Sequence, residues 1–221
     1  MKPANLTTQR IYNQLREDIL SGVRKPDSRL GEVAISEKLN VSRGPVRAAL
    51  SLLAEAGIVT LVPHSGAKVR VIDLEDARAL YQVRAALEAE AAYLAAAAIN
   101  PDAAHKLRAL LQEHTQQVAV HPTGAYLQSD EDRDFHIVIA KLSYNPVILQ
   151  FLTGELYPQI SLLRVKHERI MGRGRFALAE HERIIDAIVA GDAEVASLLM
   201  RRHINNSWAS LEDQLLVKSE K

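Results

Sequence analysis

The segment from residue 30 to residue 69 constrains the fold more than any other part of the chain. Two stretches with apolar residues at helical spacing, 32–39 and 43–55, are separated only by a tight turn at Asn40 and Val41. Two β-rich runs, 58–62 and 67–72, follow and flank a Pro-His-Ser-Gly turn. This succession predicts a helix-turn-helix that is completed by a β-hairpin.

Residues at the helix ends support this prediction. Thr8 is a candidate N-cap for a preceding helix that carries Ile11, Leu15 and Ile19 on one face. Ser42 is a candidate N-cap for the helix at 43–55, with Pro45 in the first turn, where a missing N–H costs little. The N-terminal part is therefore predicted to be a winged helix-turn-helix of three helices and a hairpin.

The third predicted helix carries the chemistry expected of a DNA reader. Arg43 and Arg47 are four residues apart and share a face opposite the apolar stripe of Val46, Leu50 and Leu53. Arginine is the favoured bidentate donor to guanine O6 and N7, whereas helix N-termini and lysines suit phosphates. The candidate DNA-binding residues are Ser42, Arg43, Pro45, Arg47, Gly66 and Lys68.

The charge distribution agrees with a nucleic-acid partner for this part alone. The whole chain is formally neutral, but residues 1–70 hold eleven lysines and arginines against six aspartates and glutamates. The remainder carries the compensating negative charge, so only the first part is expected to meet a polyanion. The alternative is a three-helix domain whose arginines are simply solvated.

Beyond residue 73 the sequence shows helical periodicity and no strand signal. Helices are predicted at 73–99, 101–120, 126–142, 146–168, 175–190 and 193–216. The fold class is therefore mainly α: a winged helix-turn-helix domain over 1–72, then an all-α bundle of about six helices over 73–221.

Three histidines and a carboxylate form a candidate metal site in the predicted bundle. Asp132 and His136 are one helical turn apart, and His181 and His203 lie on the apolar stripes of two later helices. Imidazole and carboxylate ligands suit Zn²⁺, Ni²⁺, Mn²⁺ or Fe²⁺. The alternative is a set of core or surface histidines with hydrogen-bond partners, which is how we interpret His64, His105, His114, His121 and His167.

Composition limits the other possibilities. Cysteine is absent, so neither disulfides nor thiolate metal sites are available. The N-terminus has no apolar stretch after its charges, and the apolar run at 91–99 is too short to span a membrane. We therefore expect a cytoplasmic protein without a membrane partner.

The N-terminal segment resembles the DNA-binding domain of GntR-family bacterial transcription regulators. The family pattern is Leu-x-Glu, a V-S-R-x-P-V-R-x-A-L run, and a wing that ends in Gly-x-x-Val. This chain matches it at Leu30, Glu32, Val41, Ser42, Arg43, Pro45, Val46, Arg47, Ala49, Leu50, Leu53, Gly57, Gly66 and Val69. Ser36 replaces a usual alanine, and Val33 and Ser65 stand where relatives often carry arginine.

The C-terminal part is similar to the FCD ligand-sensing domain of the FadR-like branch. The matching features are Arg84 with Leu87-Glu88, the D-x-x-F-H motif at 132–136, Asn145-Pro146, Glu180-His181 and His203. The resemblance implies that Asp132, His136, His181 and His203 hold a divalent cation with positions open for water or a small carboxylate. Arg84, and secondarily Arg164, are candidate partners for that carboxylate, with helix-surface or interhelical salt bridges as the alternative.

Together these features predict a homodimeric, ligand-responsive regulator, not an enzyme, that represses transcription by binding double-stranded operator DNA. A small organic acid bound near the metal would set the operator affinity. Three alternatives stay open at this stage: a sensor of the metal itself, a metal-dependent enzyme fused to a DNA-binding head, and a regulator with a purely structural metal.

Overall fold

The computed structural model describes residues 3–63, 65–120, 134–167 and 173–219, and the chain forms two compact units. The first unit comprises residues 1–73 together with 157–165, and the second comprises residues 74–156 together with 166–221. Each unit is described by itself below.

The first unit is the predicted winged helix-turn-helix. Its helices are α1 (Pro3–Leu20), α2 (Glu32–Leu39) and α3 (Arg43–Glu55). The strands β1 (Arg29–Leu30), β2 (Val59–Val62) and β3 (Gly66–Val69) form an antiparallel sheet in the order β1-β3-β2. The register pairs Val62 with Gly66 and Leu30 with Ala67, so the wing hairpin is closed on its other edge by β1.

Side chains from all three helices and from the sheet form the core of this unit. The apolar stripe predicted for α3 is fully buried, as are Ile11, Leu15 and Ile19 of α1. Leu30, Ile58, Ala67 and Val69 complete the core from the sheet side. Because the stripe of α3 faces this core, the opposite face of α3 lies on the surface of the unit.

Two predicted helix ends differ from the structure. α1 begins at Pro3, so Thr8 lies inside the helix and does not cap it. Ser42 occupies the N-cap position of α3 with an extended backbone, but in the described structure its side chain makes no capping hydrogen bond. The predicted capping hydrogen bond to the Ser42 side chain is thus wrong. The predicted start of α3 at Arg43 is confirmed.

The second unit is the predicted all-α bundle. Its helices are α4 (Leu74–Ala97), α5 (Pro101–Val120), α6 (Phe135–Leu142), α7 (Pro146–Gln150), α9 (Arg173–Val189) and α10 (Ala193–Ser219). α4 packs against α10, α6 and α9, and α5 packs against α9. The long predicted helix at 146–168 is divided into α7, a π-helical segment (Phe151–Leu156) and α8 (Tyr157–His167).

Most of α8 belongs to the first unit, which the sequence did not indicate. Nη1 of Arg70 donates a hydrogen bond of 2.8 Å to the side-chain amide oxygen of Gln159. Leu162 packs against the core of the winged helix-turn-helix. Gly57, which has a φ of +67°, lies so close to Gln159 that a Cβ there would come within 2.7 Å of the amide carbon.

Within the described residues, no helix combines the length and the apolar character needed to cross a membrane.

Candidate DNA interface and histidine cluster

The exposed face of α3 borders a groove in the first unit. The groove has a volume of about 700 Å³ and lies between the start of α2, the start of α3 and the wing. Charged and small residues line it: Arg29, Gly31, Glu32, Val33, Ala34, Glu37, Arg43, Arg47, Ser65 and Gly66. Two of the predicted DNA contacts, Arg43 and Arg47, therefore lie side by side on one surface.

Arg43 and Arg47 are solvent-exposed and share one carboxylate. Their side chains are 61% and 67% exposed, whereas that of Glu32 is only 16% exposed. Arg47 donates from Nη2 to Oε2 of Glu32 at 2.9 Å and from Nε to Oε1 at 3.1 Å. Arg43 lies farther away, with 3.7 Å between its Nη2 and the same Oε2.

This pairing shifts two pKa values. The hydrogen bond from Arg47, assisted by the positive charges of Arg47 and Arg43, holds the pKa of Glu32 below its usual value. The same hydrogen bond raises the pKa of Arg47. Both groups are therefore charged at neutral pH. Sequence reasoning had used Glu32 only as part of a motif and missed this contact, because the two residues are fifteen positions apart.

The wing contributes further polar groups to the same surface. The guanidinium of Arg29 donates a short hydrogen bond to Oγ of Ser65, at the tip of the hairpin. Lys68 on β3 pairs with Asp27 across 2.9 Å, and both side chains are exposed. Lys68 thus remains at the surface, with a partner that the sequence did not predict.

Gly66 has a structural reason for being glycine. Its φ is +94°, and a Cβ at this position would lie 2.1 Å from the carbonyl oxygen of Leu30 on β1. Residues with a side chain rarely adopt this backbone conformation. Gly66 was named from the sequence as a candidate DNA contact, and the structure adds that its backbone closely approaches the neighbouring strand β1. The two remaining predicted contacts flank the start of α3: Ser42 is exposed and Pro45 is half-buried.

In the second unit the three predicted histidines come together. His136 on α6, His181 on α9 and His203 on α10 are all buried, and one ring nitrogen from each lies within 4.8 Å of the others. Nε2 of His181 and Nε2 of His203 are 3.2 Å apart. The described residues could therefore offer three imidazole ligands to one metal ion.

Two carboxylates hold the outer nitrogens of this cluster. Nδ1 of His136 donates a short hydrogen bond to Glu88 on α4. Nδ1 of His203 donates to Oε2 of Glu180 at 2.7 Å, and the other oxygen of Glu180 accepts from the amide of Asn206. A proton on Nδ1 leaves Nε2 with a lone pair, which is the form of histidine that binds metals.

Helix capping and ring stacking fix the positions of two of the histidines. Asp134 is the N-cap of α6, where its side chain accepts hydrogen bonds from the backbone N–H groups of His136 and Ile137. Phe135 stacks on His181 with 3.7 Å between ring centroids and 8° between ring planes. The first turn of α6 therefore places one histidine and supports another.

The other predicted residues of this site have different outcomes. Asp132 and the side chain of Arg164 lie outside the described residues. Arg84 is buried, and its Nε donates to Oε1 of Glu88 at 2.5 Å. Arg84, Glu88 and His136 thus form a continuous buried chain of polar groups. Arg84 and Glu88 were identified together as one sequence feature, but their connection to His136 was not predicted.

His114 is a neighbour of the cluster that sequence reasoning treated as ordinary. It is buried on α5, and its ring centroid lies 6.5 Å from that of His181. The signal was available, because Leu107, Leu110, His114 and Val118 recur at helical spacing and all are buried. His105, on the same helix, is exposed as expected for an ordinary surface histidine.

Both parts of the chain are similar to known protein families. The family described as "Bacterial regulatory proteins, gntR family" matches residues 7–69, and the FCD domain matches residues 79–206. The chain is 33% identical over 207 residues to the uncharacterized HTH-type transcriptional regulator BphR of Paraburkholderia xenovorans, covering 89% of this chain and 81% of that protein.

Two further relatives extend the comparison. The HTH-type transcriptional repressor RspR of Escherichia coli is 26% identical over 204 residues, covering 92% of this chain and 88% of that protein. The structure of McbR/YncC of E. coli superposes with a TM-score of 0.75 at 21% identity, covering 94% of this chain and 98% of that one. At that identity the likeness concerns the fold alone.

A winged helix-turn-helix with two exposed arginines on its third helix, followed by a helical bundle, defines a DNA-binding transcription regulator. The chain belongs to the GntR family and carries an FCD domain in its C-terminal part. The predicted family and fold are thereby confirmed. The comparisons identify a regulator of transcription and not an enzyme, so the hypothesis of an enzyme fused to a DNA-binding head is not retained.

Proposed function

We propose that this protein is a metal-containing, ligand-responsive repressor that binds its operator as a homodimer. The observation that carries the proposal is the convergence of three buried imidazoles from three different helices. The exposed arginines Arg43 and Arg47 on α3 form a separate surface, which would bind the operator DNA. A regulator with both features can couple occupancy of an internal site to DNA affinity.

The donor set fits a divalent transition metal. His136, His181 and His203 supply imidazole nitrogens, and Glu88 and Glu180 keep the protons of two of these rings on Nδ1. Asp132 is the proposed fourth ligand. Zn²⁺, Ni²⁺, Mn²⁺ or Fe²⁺ would suit such ligands, and a bound ion supplies a Lewis-acidic centre to which a small carboxylate can coordinate.

Arg84 is the proposed determinant of an anionic effector. Its buried guanidinium contacts Glu88, and Glu88 in turn contacts His136 of the histidine cluster. A buried positive charge beside a cation site favours a negatively charged ligand over a neutral one. Arg164 is the secondary candidate for the same task.

Repression and dimerisation complete the proposal. RspR is named a repressor, and we extend that sign of regulation to this chain. Two copies would place two α3 helices in successive major grooves of a pseudo-palindromic operator. The effector must prefer one arrangement of the dimer, because a ligand with equal affinity for both arrangements shifts nothing.

The test uses the full-length protein purified without chelator. We expect bound divalent metal by elemental analysis in wild type, and its loss in His136→Ala but not in His105→Ala, which removes an exposed histidine of α5. Equal metal content in all three proteins would contradict the site.

DNA binding is measured with a duplex that wild-type protein selects from a randomised library. We expect one or more acids in a panel of mono-, di- and tricarboxylates to weaken binding by metal-loaded wild type and not by His136→Ala. Release by the metal alone, without any acid, would instead identify a metal sensor and overturn the effector proposal.

A further inference from the structure

Glu32 is an acidic residue on the face of the winged helix-turn-helix that is proposed to bind DNA. It lies in the first turn of α2, and its carboxylate reaches the two arginines that project from α3. DNA is a polyanion, so a carboxylate on the binding face weakens sequence-independent attraction. The contact therefore needs an explanation other than general affinity.

The geometry of the contact suggests what Glu32 contributes. The Nε and Nη2 groups of Arg47 both donate to Glu32, at 3.1 Å to Oε1 and 2.9 Å to Oε2 respectively. This pairing uses one edge of the planar guanidinium. The edge formed by Nη1 and Nη2 is the one left to form the paired hydrogen bonds by which arginine recognises guanine O6 and N7.

The difference in burial between the two side chains indicates that Glu32 holds Arg47 in place. The Glu32 side chain is largely covered, whereas Arg47 is two-thirds exposed. A flexible arginine loses rotamer freedom when it docks on a base edge, and a side chain held in place before binding loses less. Glu32 therefore stays in place and holds Arg47, the proposed base-reading side chain, in one orientation.

We infer that Glu32 is a specificity-determining positioning residue: its carboxylate orients Arg47, and more loosely Arg43, for reading guanine. The inference rests on the proposed role of Arg47 as a base-reading residue. The carboxylate improves discrimination between sequences and at the same time lowers affinity for DNA in general. These two effects have opposite signs, which makes them separable by experiment.

The experiment compares Glu32→Gln with Glu37→Gln in the full-length protein. Glu37 lies on the same helix and lines the same groove, but in the described structure it forms no ion pair with Arg43 or Arg47. Both variants remove one negative charge from the DNA-binding face. Binding is measured on a duplex that wild type selects from a randomised library, and on a scrambled duplex of the same composition at the same salt concentration.

We expect Glu32→Gln to reduce the ratio of the two affinities about tenfold, the effect of losing one good base contact, while affinity for the scrambled duplex stays equal or rises. Glu37→Gln should leave the ratio unchanged. Replacement of the recognised guanine by 7-deazaguanine, which lacks N7, should weaken wild type more than Glu32→Gln.

Two results would overturn the inference. One is that Glu32→Gln and Glu37→Gln change both affinities in parallel, which would make Glu32 only a counter-charge. The other is that Glu32→Gln still changes the ratio when Arg43 and Arg47, the two arginines that contact its carboxylate, are both already alanine. Failure of the proposed base reading is distinguishable, because Arg47→Ala alone would then leave the ratio unchanged.

Discussion

His181 and His203 face each other through their Nε2 atoms, which lie 3.2 Å apart. The Nδ1–H of His203 donates to Glu180, so in the neutral ring Nε2 carries a lone pair. Two lone pairs at this distance repel, and the contact is favourable only if His181 donates a proton or if both nitrogens bind one cation. Glu180, His203 and His181 are thus arranged as expected for a metal site in which a carboxylate that is not itself a ligand orients one of the histidine ligands.

The support from Glu180 is the first prediction. The Glu180 carboxylate orients His203 and raises the basicity of its ring. Glu180→Gln removes this carboxylate, so we expect the affinity for Zn²⁺ to fall about tenfold to a hundredfold. The measurement is a competition titration with a chromophoric chelator. Glu182→Gln, an exposed neighbour on the same helix, is the matched control. Equal affinities in the two variants would show that Glu180 does not support the site.

The arginines of α3 give the second prediction. Arg47→Ala should weaken binding to a selected duplex and relax its base preference, because the lost contacts are to base edges. Lys68→Ala should weaken binding to all sequences alike and reduce the slope of log affinity against log salt by about one, as expected for a phosphate contact. An equal loss for Arg47→Ala on selected and random duplexes would argue against base reading.

The wing gives the third prediction, which concerns stability. Gly66→Ala combines a positive φ with a Cβ that would meet the Leu30 carbonyl, so β1 and β3 must separate. We expect a loss of about 2–4 kcal/mol in the free energy of unfolding. Gly44→Ala is the control, because a Cβ there has open space around it. Chemical denaturation of both variants measures the difference, and similar stabilities would contradict the contact.

The pH dependence of stability gives the fourth prediction. The pKa of Glu32 is lower in the folded protein than its usual value of 4.5, because Arg47 and Arg43 stabilise the carboxylate. Its stabilising contribution is therefore complete above pH 4.5 and is lost as the pH falls through the lowered value. Glu32→Gln cannot titrate, so the stability difference between wild type and this variant should shrink in that acid range. A difference that is constant with pH would contradict the lowered pKa.

The sequence predicted those elements whose residues repeat along the chain. Val46, Leu50 and Leu53 recur at helical spacing, and all three are buried. Strand β1 was missed because two residues, Arg29 and Leu30, cannot show a period, and its pairing with β3 depends on tertiary structure. The π-helical turn was missed for a related reason, since it interrupts a pattern that otherwise reads as one helix.

The candidate sites follow the same division. The histidines were found because each lies on the apolar stripe of its own helix, and helices bury such stripes. Their carboxylate partners were harder to assign, because Glu88 is separated by 48 positions from His136 and Glu180 by 23 positions from His203. A single sequence contains no signal for which charged residue will meet a distant one, and the contact of Glu32 with Arg47 was missed in the same way.

The N-cap of α6 gives the last prediction, which connects folding to the site. Asp134 accepts hydrogen bonds from the N–H groups of His136 and Ile137, so the cap and the histidine share one helical turn. Asp134→Ala should cost about 1–2 kcal/mol of stability, as expected for a lost cap. It should also weaken Zn²⁺ binding, because a frayed first turn no longer holds His136 in place.

Asn145→Ala separates these two effects. Asn145 caps α7 in the same unit with the same pair of hydrogen bonds, to the N–H groups of Val147 and Ile148, but α7 carries no histidine. Its loss should therefore lower stability and leave Zn²⁺ affinity unchanged, and Asp134→Asn, which keeps an acceptor oxygen, should restore most of both properties. If Asn145→Ala weakened Zn²⁺ binding as much as Asp134→Ala, the metal affinity would reflect general stability of the bundle and not the position of His136.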